Sequence, residues 1–92
     1  MAQNIVYDKR SKQRDKCEAR AIVTIGTHSK SAFIDDFSLG GVSVVYHGDP
    51  IQTDAKVKIS AEKLDIRSKA ALVVWSKSIV GGLSHSGLKY VD

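Results

Sequence analysis

The sequence predicts an all-β domain, and three observations carry that prediction. Apolar and polar residues alternate along several short runs, no segment shows a convincing helical stripe, and Gly- or Pro-containing corners separate the runs. Six short antiparallel strands in 92 residues favour a small closed or nearly closed barrel, because closure removes the edges that an open sheet would expose.

The first strand runs over 17–25, with Cys17, Ala19, Ala21, Val23 and Ile25 on one side and Glu18, Arg20, Ile22 and Thr24 on the other. GTHSK at 26–30 is a turn, SAFIDDF at 31–37 the second strand and VSVVYH at 42–47 the third. After the HGDP turn at 47–50, Ala55, Val57 and Ile59 face inward from a fourth strand, with Lys56, Lys58 and Ser60 facing out. The fifth strand is long, from Leu64 to Lys77. Its even positions Leu64, Ile66, Ala70, Leu72 and Val74 are apolar, and its odd face turns apolar at Ala71, Val73 and Trp75, so its later half is expected to be buried on both sides. Gly81 and Gly82 then turn the chain into a sixth strand, LSHSGLKYV at 83–91.

Composition fits one small domain. Hydrophobic residues make up 42% and charged residues 26%. That is the balance of a folded chain and not of a disordered tail. No apolar window reaches the ~18 residues of a membrane span, and the N-terminus lacks the apolar stretch of a signal peptide, so a cytoplasmic location is expected. Cys17 is the single cysteine, which excludes an internal disulfide and reads as a small apolar side chain. The net charge is +4, and Lys9, Arg10, Lys12, Arg14, Lys16 and Arg20 concentrate basic charge near the N-terminus, where it would attract phosphates. Residues 1–16 are read as a flexible leader and 17–92 as the barrel.

Two fragments stand out: RSKQR at 10–14 in the leader and DFSLGG at 36–41 at the second corner. Their patterns are R-x-x-x-R and D-x-S-x-x-G. With the approach SAFIDDFSLGGVSV, the later LVVW at 72–75 and the closing GLKYVD at 87–92, the chain resembles the PilZ domain family. That resemblance implies a receptor for the bacterial second messenger cyclic di-GMP, with Arg10, Arg14, Asp36, Ser38 and Gly41 at the matching ligand positions and Lys9 and Gly40 as further candidates.

The residue types suit that ligand. A guanidinium fork matches the O6 and N7 acceptors of guanine, and its flat face stacks on a base. A carboxylate such as Asp36 accepts the N1 and N2 hydrogens on the opposite edge. Ser38 offers a hydroxyl to a phosphate or ribose oxygen, Gly41 permits close backbone approach, and amides through Leu39, Gly40 and Gly41 are expected to form an anion nest. Asp15 follows Arg14 and offers it a competing ion pair. Lys9 occupies a position thought in this family to influence whether one or two nucleotides bind.

The remaining residues read as structural. Trp75, at the end of an apolar strand, is expected in the core, and Tyr46 and Tyr90 on inward faces with their hydroxyls at a rim. His28, His47 and His85 lack carboxylate or cysteine neighbours at ligand spacing, so no metal or other cofactor is expected. Gly81 and Gly82 lack the lysine and helix of a P-loop, and no nucleophile, base and orienting group come together, so the chain is expected not to be an enzyme.

The function expected is a non-catalytic receptor in a bacterial cytoplasm whose leader becomes ordered over cyclic di-GMP. Its protein partners, on the resemblance, belong to flagellar, secretion or polysaccharide-synthesis machinery. One alternative is a ligand-independent adaptor of the same fold. The other is a small barrel binding single-stranded nucleic acid, disfavoured because its aromatic platform is expected to be missing.

Overall fold

The computed structural model describes residues 19–91. They form β1 (Ala19–Ile25), β2 (His28–Phe37), β3 (Gly41–His47), β4 (Lys56–Ala61), β5 (Ile66–Ile79) and β6 (Leu83–Tyr90). The strands close into a barrel in the order β1-β2-β3-β6-β5-β4, and β4 returns to pair with β1. All neighbours are antiparallel. The six-stranded all-β expectation is therefore borne out. Short 3₁₀ turns at Glu62–Leu64 and Val80–Gly82 are the only helical pieces among the described residues, and none is long and apolar enough to cross a membrane.

Strand alternation places the core. Ala19, Ala21 and Val23 of β1, Val42, Val44 and Tyr46 of β3, and Val57, Ile59 and Ala61 of β4 point inward and are buried, while Arg20 and Ile22 face out. Alanine at positions 19, 21, 32, 61 and 71 keeps part of the interior narrow. The β1–β2 corner is tighter than GTHSK suggested. His28 already pairs with Ile25, so Gly26 and Thr27 alone make the turn. Gly26 has a left-handed φ of +62°. That conformation suits the first central position of a two-residue hairpin.

The expectation that late β5 is buried on both sides is overturned by two bulges. Pairing shifts by one residue between Ile66 and Lys69 against β4, and again between Val73 and Trp75 against β6. Each extra residue reverses which parity faces inward. Ile66 shares a face with buried Ala61; then Lys69, Ala71 and Val73 take the inner register; then Ser76 does so opposite buried Ser86. Val74 and Trp75 are left on the outer wall at 44% and 40% exposure. Trp75 is therefore not a core residue.

One end of the interior is polar. Tyr46 packs inward as expected, but its hydroxyl is sealed inside, 2.7 Å from Ser86 Oγ and 2.7 Å from the Ile51 amide that donates to it. Ser84 donates to the Gly48 carbonyl at 2.6 Å, so the 47–52 segment is fastened across the barrel end. Tyr90 is half-buried, with the Lys69 ammonium 5.1 Å from its ring centroid.

Candidate functional site

A third bulge builds the site. Ile34 pairs with Val44 but Asp36 pairs with Ser43, which leaves Asp35 as the extra residue of β2. Ile34 is fully buried before the bulge, and Phe37 pairs with buried Val42 after it. Two consecutive carboxylates consequently reach the same outer wall, which regular alternation forbids.

Beyond them, the chain turns at Ser38–Gly40. The Ser38 amide donates to the Gly41 carbonyl at 2.9 Å, the Gly40 amide donates to Ser38 Oγ at 3.3 Å, and the Tyr90 amide donates to the Gly40 carbonyl at 2.9 Å. Leu39 is fully exposed at the tip. The expected nest of three amides is not presented in that form, because Ser38 already engages the Gly40 amide. Gly40 and Gly41 are not among the residues of positive φ. Gly41 is required for a different reason: a Cβ there would overlap the Leu88 carbonyl oxygen of β6. A Cβ on Gly40 would meet nothing within 4 Å.

The corner forms one bank of a groove of about 340 Å³ on the outer wall. Asp36, Ser38, Gly40 and Gly41 line one side, with Trp75, Gly87 and Lys89 across from them. The indole lies so close over Gly87 that a Cβ there would overlap the ring. The indole makes a T-shaped contact with His85, with ring centroids 4.9 Å apart and planes at 85°, and the Lys77 ammonium lies 5.7 Å from the ring centroid.

Asp35 ties this wall together across three strands. Ser43 Oγ donates to Asp35 Oδ1 at 2.6 Å, and His85 Nε2 lies 3.3 Å from both carboxylate oxygens. A carboxylate only accepts, so the Nε2 facing it carries the proton. Half-buried Asp36 pairs with Ser43 in the ladder and has a polar interaction of its own.

Among the predicted positions, Asp36, Ser38, Gly40 and Gly41 thus come together on one groove. Lys9, Arg10, Arg14 and Asp15 lie outside the described residues, as do Cys17 and the remainder of the leader. Trp75, Asp35 and His85 were not legible as site residues. The adjacent DD was the only local signal, and Asp35 and His85 meet only because β3 sits between β2 and β6. No three His, Cys, Asp or Glu side chains among the described residues group closely enough to hold a metal ion.

Exposed aromatics also change one expectation. Phe33 is 50% exposed on the outer wall with the Arg20 guanidinium 5.5 Å from its centroid, so together with Trp75 the barrel does carry aromatic surface beside cations. No family model matches this chain, and no curated protein matches it. Fold and site together define a six-stranded antiparallel β-barrel with a groove on its outer wall, lined by a carboxylate, a hydroxyl, glycines and an indole.

Proposed function

We propose that the chain is a non-catalytic cyclic di-GMP receptor of the PilZ type, acting in a bacterial cytoplasm. The observation that carries the reading is the groove, which gathers Asp36, Ser38, Gly40 and Gly41 opposite a half-exposed indole. A guanine nucleotide needs a flat apolar face, an acceptor for the N1 and N2 hydrogens of its base, and nearby donors to its phosphate. Trp75, Asp36 and Ser38 offer one of each.

The groove measures about 340 Å³. That is near the small end of the roughly 300–1,000 Å³ range of ligand pockets, so it suits one base and leaves the remainder of the nucleotide to other groups. Arg10 and Arg14 are the groups assigned to that task, reading guanine O6 and N7 through their forks, with Lys9 as a further cation. Ordering of the leader over the ligand would create a new surface for a protein partner in flagellar, secretion or polysaccharide-synthesis machinery.

Isothermal titration with cyclic di-GMP, against GTP and cyclic di-AMP, tests this. Saturable binding selective for cyclic di-GMP, lost in Arg14→Ala and Asp36→Ala, is the expected result. No heat, and no thermal stabilisation at high ligand, would overturn the receptor and leave a ligand-independent adaptor.

A second reading is favoured by Phe33 and Trp75, each exposed beside a cation: the outer wall could take single-stranded nucleic acid. That mode weakens steeply with salt. Repeating the titrations with a short single-stranded oligonucleotide at two salt concentrations separates the two.

A further inference from the structure

Resting on the nucleotide reading of the groove, we propose that Asp35 and His85 are positioning residues that hold the Trp75 indole as the stacking platform. Neither residue was assigned a part in the site by its sequence context. The case is geometric. An exposed tryptophan on a strand has several staggered rotamers available, and the one adopted here lays its indole against Gly87. That rotamer has a floor because position 87 lacks a Cβ.

It has a side support in His85, whose ring packs against it in a T-shaped contact at 4.9 Å and 85°. This is a favoured geometry for two rings. His85 is held in turn by the Asp35 carboxylate at 3.3 Å, and Asp35 by the 2.6 Å bond from Ser43. The chain Ser43–Asp35–His85–Trp75 thus crosses four strands, from β3 to β2 to β6 to β5. Every link lies on the outer wall, where burial alone fixes no side chain. The Lys77 ammonium lies over the ring at 5.7 Å from its centroid, a cation that a phosphate on an incoming nucleotide would draw away from the indole face.

The two aspartates of the bulge then divide the labour. Asp36 faces the ligand groove, while Asp35 acts through His85 on the indole. This explains why the bulge delivers two carboxylates to one wall.

Trp75 is the only tryptophan, so its emission reports this site without labelling. In the free protein, time-resolved anisotropy should show faster local depolarisation of Trp75 in Asp35→Ala and His85→Ala than in wild type; unchanged depolarisation would overturn the proposal. Titration with cyclic di-GMP supplies the second arm. Trp75→Ala should weaken binding by roughly 5- to 150-fold, the worth of one base on an aromatic ring. Asp35→Ala should weaken it by about threefold or more in the wild-type background, and by nothing further in the Trp75→Ala background, as expected of residues coupled in one network. Losses that add would mean that Asp35 touches the nucleotide itself, and would overturn the positioning role. If wild type binds no cyclic di-GMP, the nucleotide reading fails, and the anisotropy arm still decides whether Asp35 and His85 hold the indole.

Discussion

The Tyr46 hydroxyl and Ser86 Oγ lie 2.7 Å apart inside the barrel, and the direction of the hydrogen bond between them is determined by their neighbours. Ser76 spends its one hydrogen on the Ile51 carbonyl at 2.6 Å, so in its 2.7 Å contact with Ser86 it must accept. Ser86 therefore donates to Ser76 and accepts from Tyr46, which itself accepts from the Ile51 amide. The circuit leaves Ile51 by its N–H and returns to its carbonyl. Both backbone groups of one buried residue are satisfied through three side chains.

Tyr46→Phe breaks that circuit and strands the Ile51 amide in a buried site. The expected cost is about 1–3 kcal/mol, the penalty for an unsatisfied buried donor. Urea unfolding checks it, and Ser86→Ala should fall in the same range because it strands the hydrogen of the Tyr46 hydroxyl.

The paired glycines of the corner should respond oppositely. Gly41→Ala drives a Cβ into the Leu88 carbonyl and forces β3 away from β6. The cost should be about 1–3 kcal/mol, as for an overpacked contact. Gly40→Ala meets open space. It should stay within about 0.5 kcal/mol of wild type, as surface substitutions do. Denaturant midpoints of the two variants decide this.

Gly87→Ala separates folding from binding. The new Cβ would occupy the space of the Trp75 ring, whose side chain can swing outward, so the barrel should remain folded by circular dichroism. Cyclic di-GMP affinity should fall by roughly fivefold or more with the loss of the stacked platform. Calorimetry would contradict this if affinity were unchanged.

Tyr90 makes stability fall in alkali. Burial raises its pKa above the ordinary 10.0, so on raising the pH the unfolded chain releases this proton before the folded one does. Below about pH 10 both states hold the proton and the full stability is present; above it the unfolded state binds fewer protons and stability declines until the folded group also ionises. Urea unfolding at pH 9 and pH 11 should show a smaller loss in Tyr90→Phe than in wild type.

The regular part of this fold was legible because alternation is local. Ala19, Ala21 and Val23, or Val57 and Ile59, announce an inner face within one strand. What alternation cannot announce is a bulge, which depends on the partner strand. Two bulges in β5 made its apolar residues look two-sided, and the second turned Trp75 from a core residue into a groove residue. Of the site, DFSLGG was legible because a corner is local chemistry. The Asp35–His85 pair was not, since it joins residues 50 positions apart, brought together only because β3 pairs with β2 on one side and with β6 on the other.

The most direct test of the central claim is a titration of Trp75 emission with cyclic di-GMP, because the single tryptophan stands in the groove proposed to take the nucleotide. The account predicts a saturable change whose midpoint matches the calorimetric affinity and which disappears in Asp36→Ala. Binding heat with no change in Trp75 emission would put the nucleotide elsewhere on the barrel, and the absence of both heat and emission change would contradict the receptor itself.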